Sequence, residues 1–259
     1  PMPVHAANNV NDPSSKTLEE LIAELDHLTG LEVIKKEVKE DYIQYLNFLK
    51  LRKEKGIEED SNITLHSVFT GNPGTGKTTV ARLLGKIFNK MGLLSKGHVH
   101  EVDRADLVAE YIGQTAPKVK DAIEQARGGI LFVDEAYSLF RSGEDNKDFG
   151  REVIEILIKE MSDGPGDIAI FVAGYPKEME VFLDSNPGLK SRFIHYFDFP
   201  DYTPQELKEI ALSSVKDNKL IIEDSAVTYL YKKLVDSYRA RTRSFGNARM
   251  VKSLISEAK

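Results

Sequence analysis

The chain has no cysteine among its 259 residues, which removes disulfides, thiol nucleophiles and thiolate metal sites from consideration. Long apolar runs are missing too. The longest stretches, such as Ile168 to Ala173, fall far short of the about 18 residues that cross a bilayer as a helix. No membrane span is therefore expected. Pro1 to Asn11 carry neither a basic segment nor an apolar one behind it, so nothing reads as a secretory signal and the cytoplasm is the expected compartment. An excess of positive charge is also lacking. With 35 Lys and Arg against 41 Asp and Glu the net charge is −6, and no overall field favours nucleic acid or anionic lipid. What is present is an ordinary globular composition, 41% hydrophobic and 29% charged, which excludes a mostly disordered or collagen-like chain. The length fits one large domain, or one medium domain plus one small.

Residues 1–16 are polar, with Asn8, Asn9, Asn11, Pro13 and Ser14, and read as a disordered leader whose Pro1-Met2 looks like a cloning remnant. Thr17-Leu18-Glu19-Glu20 is a capping box that opens a short helix to about His27. After Thr29-Gly30, apolar residues from Leu31 to Leu49 recur at helical spacing and predict one long amphipathic helix ending at Gly56. The period then changes. Leu65 to Thr70, His98 to Asp103, Ile130 to Asp134, Ile168 to Ala173 and Ile194 to Phe199 are strand candidates. Helical stretches Lys77 to Met91, Pro117 to Arg127, Phe149 to Met161 and Lys177 to Leu183 separate them. Such alternation implies an α/β domain over residues 17–200 with a parallel sheet covered on both faces. A boundary falls at Pro200-Asp201-Tyr202. Beyond it only helices are predicted, over Leu207 to Val215, Asp224 to Tyr238 and Asn247 to Lys259, opened by a second capping box at Thr203. Residues 201–259 thus form a small all-α domain whose last helix the chain end cuts short.

Gly71-Asn72-Pro73-Gly74-Thr75-Gly76-Lys77-Thr78 fits G-x-x-x-x-G-K-[ST] and lies between a predicted strand and a predicted helix, the context that distinguishes a P-loop from a glycine-rich turn. Its glycines let the backbone wrap so that successive N–H groups face phosphates, Lys77 reaches the β- and γ-phosphates, and Thr78 is a ligand for Mg²⁺. Thr79 continues the loop into the helix. Ile130-Leu131-Phe132-Val133-Asp134-Glu135 supplies the second element of a nucleotide-hydrolysing site, an apolar strand ending in two carboxylates. Asp134 would hold Mg²⁺ or its water, and Glu135 would accept the proton of the attacking water. ATP and Mg²⁺ are the expected ligands.

These elements, with Leu28-Thr29-Gly30-Leu31, Glu110 to Lys118, Ala173-Gly174-Tyr175, Asn186-Pro187-Gly188, Ser191-Arg192-Phe193 and Gly246-Asn247-Ala248-Arg249, resemble the AAA+ ATPases. The likeness is greater to the family of the red-type rubisco activase and stage V sporulation protein K, and runs from about Leu18 to the chain end. It implies a P-loop AAA+ fold with a five-stranded parallel sheet between helices, a helical lid, and assembly into a ring, usually a hexamer. Arg192 matches the family's arginine finger, which reaches the γ-phosphate of the neighbouring subunit; from the residues alone it would cap the Asn186 to Ser191 turn or pair with an acid. Arg249 matches the sensor-2 arginine that contacts nucleotide in cis. Tyr111-Ile112-Gly113 matches a pore loop that grips a peptide client. Gly30 and Leu31 match the segment lying against adenine, with Leu31 packing on the base. Tyr175 stands at the sensor-1 position, where most AAA+ proteins carry a small polar residue.

The resemblance implies an ATP-driven remodeller of a protein client, with rubisco activation as one activity of its relatives. Two other functions compete. A nucleic-acid motor or loader would draw on the basic cluster Arg239, Arg241 and Arg243, which otherwise reads as a solvated helix end or a site for a phosphorylated ligand. An ATP-switched scaffold is opposed by the intact Glu135.

Overall fold

The computed structural model describes residues 16–57, 63–109, 111, 113–140 and 149–257. Helix α1, Leu18–Asp26, starts at the expected capping box, the Glu20 N–H donating to Thr17 Oγ1 at 3.2 Å and the Thr17 N–H to Glu20 Oε2 at 2.7 Å. The long helix expected from Leu31 to Gly56 is interrupted. It consists of α2, Glu32–Lys36, a π-helical stretch, Glu37–Ile43, and α3, Gln44–Glu54. Its buried residues Ile34, Val38, Tyr42 and Leu46 lie four apart, a spacing that drifts about 40° per step around an α-helix. Wider π turns rotate the other way, so the stretch keeps all four facing the core.

Five strands, β1 (Ser67–Gly71), β2 (Val99–Val102), β3 (Ile130–Val133), β4 (Ala169–Gly174) and β5 (His195–Phe199), form one parallel sheet in the order β2-β3-β4-β1-β5. Parallel neighbours require long crossovers. These are α4 (Lys77–Lys90), α5 (Arg104–Leu107) with α6 (Thr115–Ala126), α7 (Phe149–Asp163), and α8 (Pro176–Asp184) with α9 (Pro187–Arg192). Central strands are buried on both faces. Along β4, Ala169, Phe171 and Ala173 join the core beneath α1 to α4, while Ile170 and Val172 join the core beneath α6 to α9, which is why β3 and β4 read as unbroken apolar runs.

Helices α10 (Pro204–Asp217), α11 (Asp224–Arg239) and α12 (Asn247–Glu257) follow the sheet. Thr203 and Glu206 form the second capping box, with Pro204 in the first turn. Leu207, Ala211, Leu234 and Val251 are buried in the same continuous core as α4 and β5, so these helices share packing with the sheet. Helix α9 was not expected from sequence: Asn186 caps it, accepting from the Gly188 N–H at 2.8 Å, and Pro187 fits its first turn. The C-terminal edge of β1, β3 and β4, on either side of the point where strand order reverses, is where such sheets present a ligand cleft.

Candidate active site

The P-loop spans the turn from β1 into α4. Gly76 caps α4 at φ +97°, and a Cβ there would stand 3.0 Å from Tyr202 Oη and 3.3 Å from Leu31 Cδ1. Gly74, at φ +71°, lies so close to α12 that a Cβ would overlap the Gly246 carbonyl oxygen and approach the Arg249 nitrogen at 2.9 Å. Both positions demand a left-handed backbone and no side chain. The Lys77 ammonium donates to the carbonyls of Gly71 and Asn72, each at 2.8 Å. Burial lowers its pKa, the Asp134 carboxylate opposes that shift, Arg249 adds to it and Glu135 again opposes it.

Leu31, Pro73, Gly74, Gly76, Lys77, Thr78, Thr79, Asp134, Glu135, Tyr175 and Arg249 line one cleft of about 630 Å³. Gly30, Asn72 and Thr75 are not among its lining residues. A Cβ on Gly30 would collide with Glu206 Oε1, Asn72 Nδ2 donates to Asp201 Oδ1 at 2.9 Å, and the buried Thr75 hydroxyl donates to the Asn72 carbonyl at 2.8 Å. Leu31 at φ +60° and Glu135 at φ +48° hold left-handed conformations that cost energy for a residue with a Cβ. Glu135 stands two residues past the end of β3, with its N–H donating to Asp134 Oδ1 at 3.0 Å.

Against this geometry the family comparisons are decisive. The profile of the ATPase family associated with various cellular activities (AAA) matches residues 67–200, and that of the AAA lid domain matches residues 203–259. The chain is an AAA ATPase. It is 44% identical over 255 residues to stage V sporulation protein K of Bacillus subtilis (strain 168), covering 98% of this chain and 78% of that protein. It is 41% identical over 236 residues to the chloroplastic ribulose bisphosphate carboxylase/oxygenase activase of Cyanidioschyzon merolae, covering 89% and 80%. Protein CbxX, chromosomal, of Cupriavidus necator is 41% identical over 240 residues, covering 91% and 75%. A RuvB structure from Thermotoga maritima shares the fold with a TM-score of 0.52 at 23% identity, over 88% of this chain and 61% of that one. The protein therefore binds and hydrolyses ATP.

Arg192 is not among the residues lining this ATPase's own cleft. At the end of α9 its guanidinium donates to the Gly188 carbonyl at 3.0 Å and to Ser162 Oγ at 2.5 Å, and no acid pairs with it among the described residues. Tyr111 is 67% exposed, Gly113 has open space where a Cβ would stand, and Ile112 lies outside the described residues. Tyr111 and Glu135 both line a second cavity of about 1040 Å³ with Arg104, Lys118 and Ser138. The expected basic cluster is largely engaged: Arg243 pairs with Glu178, and Arg241 lies 3.6 Å from Asp201 and 3.9 Å over the Tyr238 ring.

Two residues of the site were not singled out from sequence. Tyr202, in what reads as a linker, lines the cleft beside Leu31 and is pushed up to about 12 by burial with help from Glu206. Asn247 is fully buried at the head of α12. Its Oδ1 accepts from the Tyr202 N–H at 2.9 Å, and its Nδ2 donates to Asp201 Oδ1 at 2.7 Å and to the Pro73 carbonyl at 3.3 Å. The only sequence signal for it was its place beside Arg249 in the family pattern. Among the described residues no cluster of three or more His, Asp or Glu is suited to a metal, and no helix is long and apolar enough to cross a membrane.

Proposed function

We propose that this ATPase works as a ring, a hexamer by family habit, in which each cleft is completed by Arg192 of the neighbouring subunit and hydrolysis remodels a protein client drawn past Tyr111. Residues 17–200 act as the nucleotide-binding domain and residues 201–259 as its lid. Leu31 and Tyr202 flank the base, Lys77 and the loop N–H groups hold the β- and γ-phosphates, and Arg249 contacts them from the lid. Thr78 and Asp134 would hold Mg²⁺, which takes few protein ligands and keeps the rest of its shell for water and phosphate oxygens. Their place together in one cleft, a hydroxyl beside a carboxylate and the P-loop, suits that ion. The ion when bound neutralises charge developing on the phosphates. Glu135 takes the proton of the attacking water, and the cytoplasm is where ATP is available as fuel.

The observation that carries the ring is the surface around Arg192. It sits outside its own cleft and next to an apolar edge where Ile194 and Tyr196 are each 50% exposed and Phe48 is 54% exposed. A neighbour covering that edge would bring Arg192 to its own phosphates. A nucleic-acid role loses its main support with Arg241 and Arg243 paired to acids.

The test mixes two inactive variants. Glu135→Gln lacks the base and Arg192→Ala lacks the finger, so each should hydrolyse ATP poorly alone. Mixed, a site with intact Glu135 meets an intact Arg192, and activity should return. No recovery, together with parent activity per subunit that stays flat down to a monomeric mass, would refute the shared site. Trapping of an unstructured peptide in ATP, lost in Tyr111→Ala, checks the client reading.

A further inference from the structure

We infer that Ser162 is a positioning residue for Arg192, clamping the guanidinium by its Nε so that Nη2 is presented to the nucleotide of the neighbouring subunit. This rests on the reading of Arg192 as a residue lent to the neighbouring cleft.

Arg192 ends α9, and the backbone beneath it is anchored. Leu189 and Phe193 are buried in one core with Leu157 of α7, and the Phe193 N–H donates to the Leu189 carbonyl at 3.1 Å. What remains free is the side chain, a flexible stem carrying a planar group with five N–H donors. Those donors are unequally used. Nε donates to Ser162 Oγ at 2.5 Å, and Nη1 donates to the Gly188 carbonyl at 3.0 Å and to Ser191 Oγ at 3.3 Å. Nη2 makes no hydrogen bond among the described residues. Its N–H groups are the ones left for a phosphate oxygen.

Ser162 is suited to the clamp by its own hydrogen bond. It lies four residues after Ile158 on α7, and its hydroxyl donates to the Ile158 carbonyl at 2.9 Å, the backward bond that helical serines make. A hydroxyl has one proton and two lone pairs, so with the proton committed the oxygen meets Arg192 only as an acceptor. Bonds from two nitrogens then fix the plane of the guanidinium, where a single bond would let it swing. All three partners of Arg192 are uncharged. Glu160, the acid two residues before Ser162 on α7, is taken by Arg127 at 2.6 Å. A carboxylate on Arg192 would compete with phosphate for the cation, whereas hydroxyls and a carbonyl orient it and leave its charge for the developing charge of the transition state.

The experiment measures kcat, the dissociation constant for ATP and the melting temperature of full-chain variants. Ser162→Ala removes the acceptor at an exposed helix position where alanine is the better helix former, so the fold is retained. It should lower kcat about tenfold, part of the larger loss that removal of an arginine finger causes, with ATP affinity and melting temperature within error of the parent. Ser162→Thr keeps a hydroxyl that can make the same bonds and should recover kcat to within about twofold of the parent. Complementation supplies the readout that a merely structural role would not move. Ser162 acts on the finger that a subunit lends, so co-assembly with Glu135→Gln, which lacks the base and keeps the clamp, should relieve the defect. In an equimolar mixture about one interface in four joins an intact base to a clamped finger, and activity per subunit should reach about two- to threefold that of Ser162→Ala alone. A defect confined to its own subunit would instead be diluted to about half. Parent-like kcat in Ser162→Ala, or a loss that Glu135→Gln does not relieve, would overturn the clamp, while recovery in the Arg192→Ala and Glu135→Gln mixture keeps the shared site. A kcat above the parent's would make Ser162 a resting place for the arginine and overturn the clamp as well. No recovery in the Arg192→Ala and Glu135→Gln mixture would remove the shared site and the clamp with it.

Discussion

Asn247→Ala is the substitution by which the join between lid and P-loop is most directly tested. Asn247 has φ +46°, and its side chain bonds the Tyr202 N–H, Asp201 and the carbonyls of Pro73 and Phe245. Alanine would leave the buried Tyr202 N–H without its acceptor, which costs about 1–3 kcal/mol. It would also hold a Cβ in a left-handed backbone that asparagine tolerates better, for about 1 kcal/mol more. Asp201 keeps its bond from Asn72, so that carboxylate is not orphaned and adds little. The sum, about 3 kcal/mol, is a large share of the 5–15 kcal/mol that typically separates folded from unfolded chains. Urea unfolding measures it. Asn247→Gly separates the two parts, because glycine removes the same hydrogen bonds while relieving the backbone, and it should lie about 1 kcal/mol above the alanine variant. Function should follow stability, since α12 also donates its Ala248 N–H to the Gly74 carbonyl at 3.2 Å; a loosened α12 would raise KM for ATP. An alanine variant within about 0.5 kcal/mol of the parent, a usual surface effect, and with unchanged KM would refute the argument that Asn247 ties the lid to the loop.

Acid should weaken the fold through His66, whose Nδ1 accepts the Ile170 N–H at 3.0 Å and whose pKa is lowered to about 4 by burial, with His195 adding to it. The unfolded chain binds this proton below about 6.5 and the folded chain only below about 4, so His66 makes stability fall with pH across that window and no further beneath it. Urea midpoints should show about 2 kcal/mol lost from this group between pH 6.5 and 5, and His66→Gln should remove that part of the slope. Gly76→Ala should raise KM for ATP by about tenfold, since a Cβ at φ +97° strains the cap of α4 and crowds Tyr202 and Leu31; an unchanged KM would mean the loop absorbs it.

The readable parts of the molecule are those in which chemistry constrains neighbours along the chain. A P-loop must be a strand, a glycine-rich turn and a helix in immediate succession, and the acids of Asp134 and Glu135 must follow an apolar strand, so both could be read before any coordinates. The sheet was legible for the same reason: β3 and β4 are buried on both faces and show it as unbroken apolar runs. The π-helical stretch Glu37–Ile43 was not, because spacing by four is compatible with an α-helix until the core fixes which side chains must align. Helix α9 was hidden by its shortness. Asn247 escaped for a different reason. It is ordinary in its local sequence and acquires meaning from a partner far along the chain, Pro73.

Asn247 and Ala248 bond the carbonyls of Pro73 and Gly74, while Arg243, a few residues earlier, reaches Glu178 and Tyr175 on the far side of the cleft. A short segment of the lid therefore touches both the P-loop and Tyr175, which line the same cleft. A displacement of that segment strains the loop contact, which has no slack at Gly74. A variant that loosens this segment should therefore raise KM for ATP.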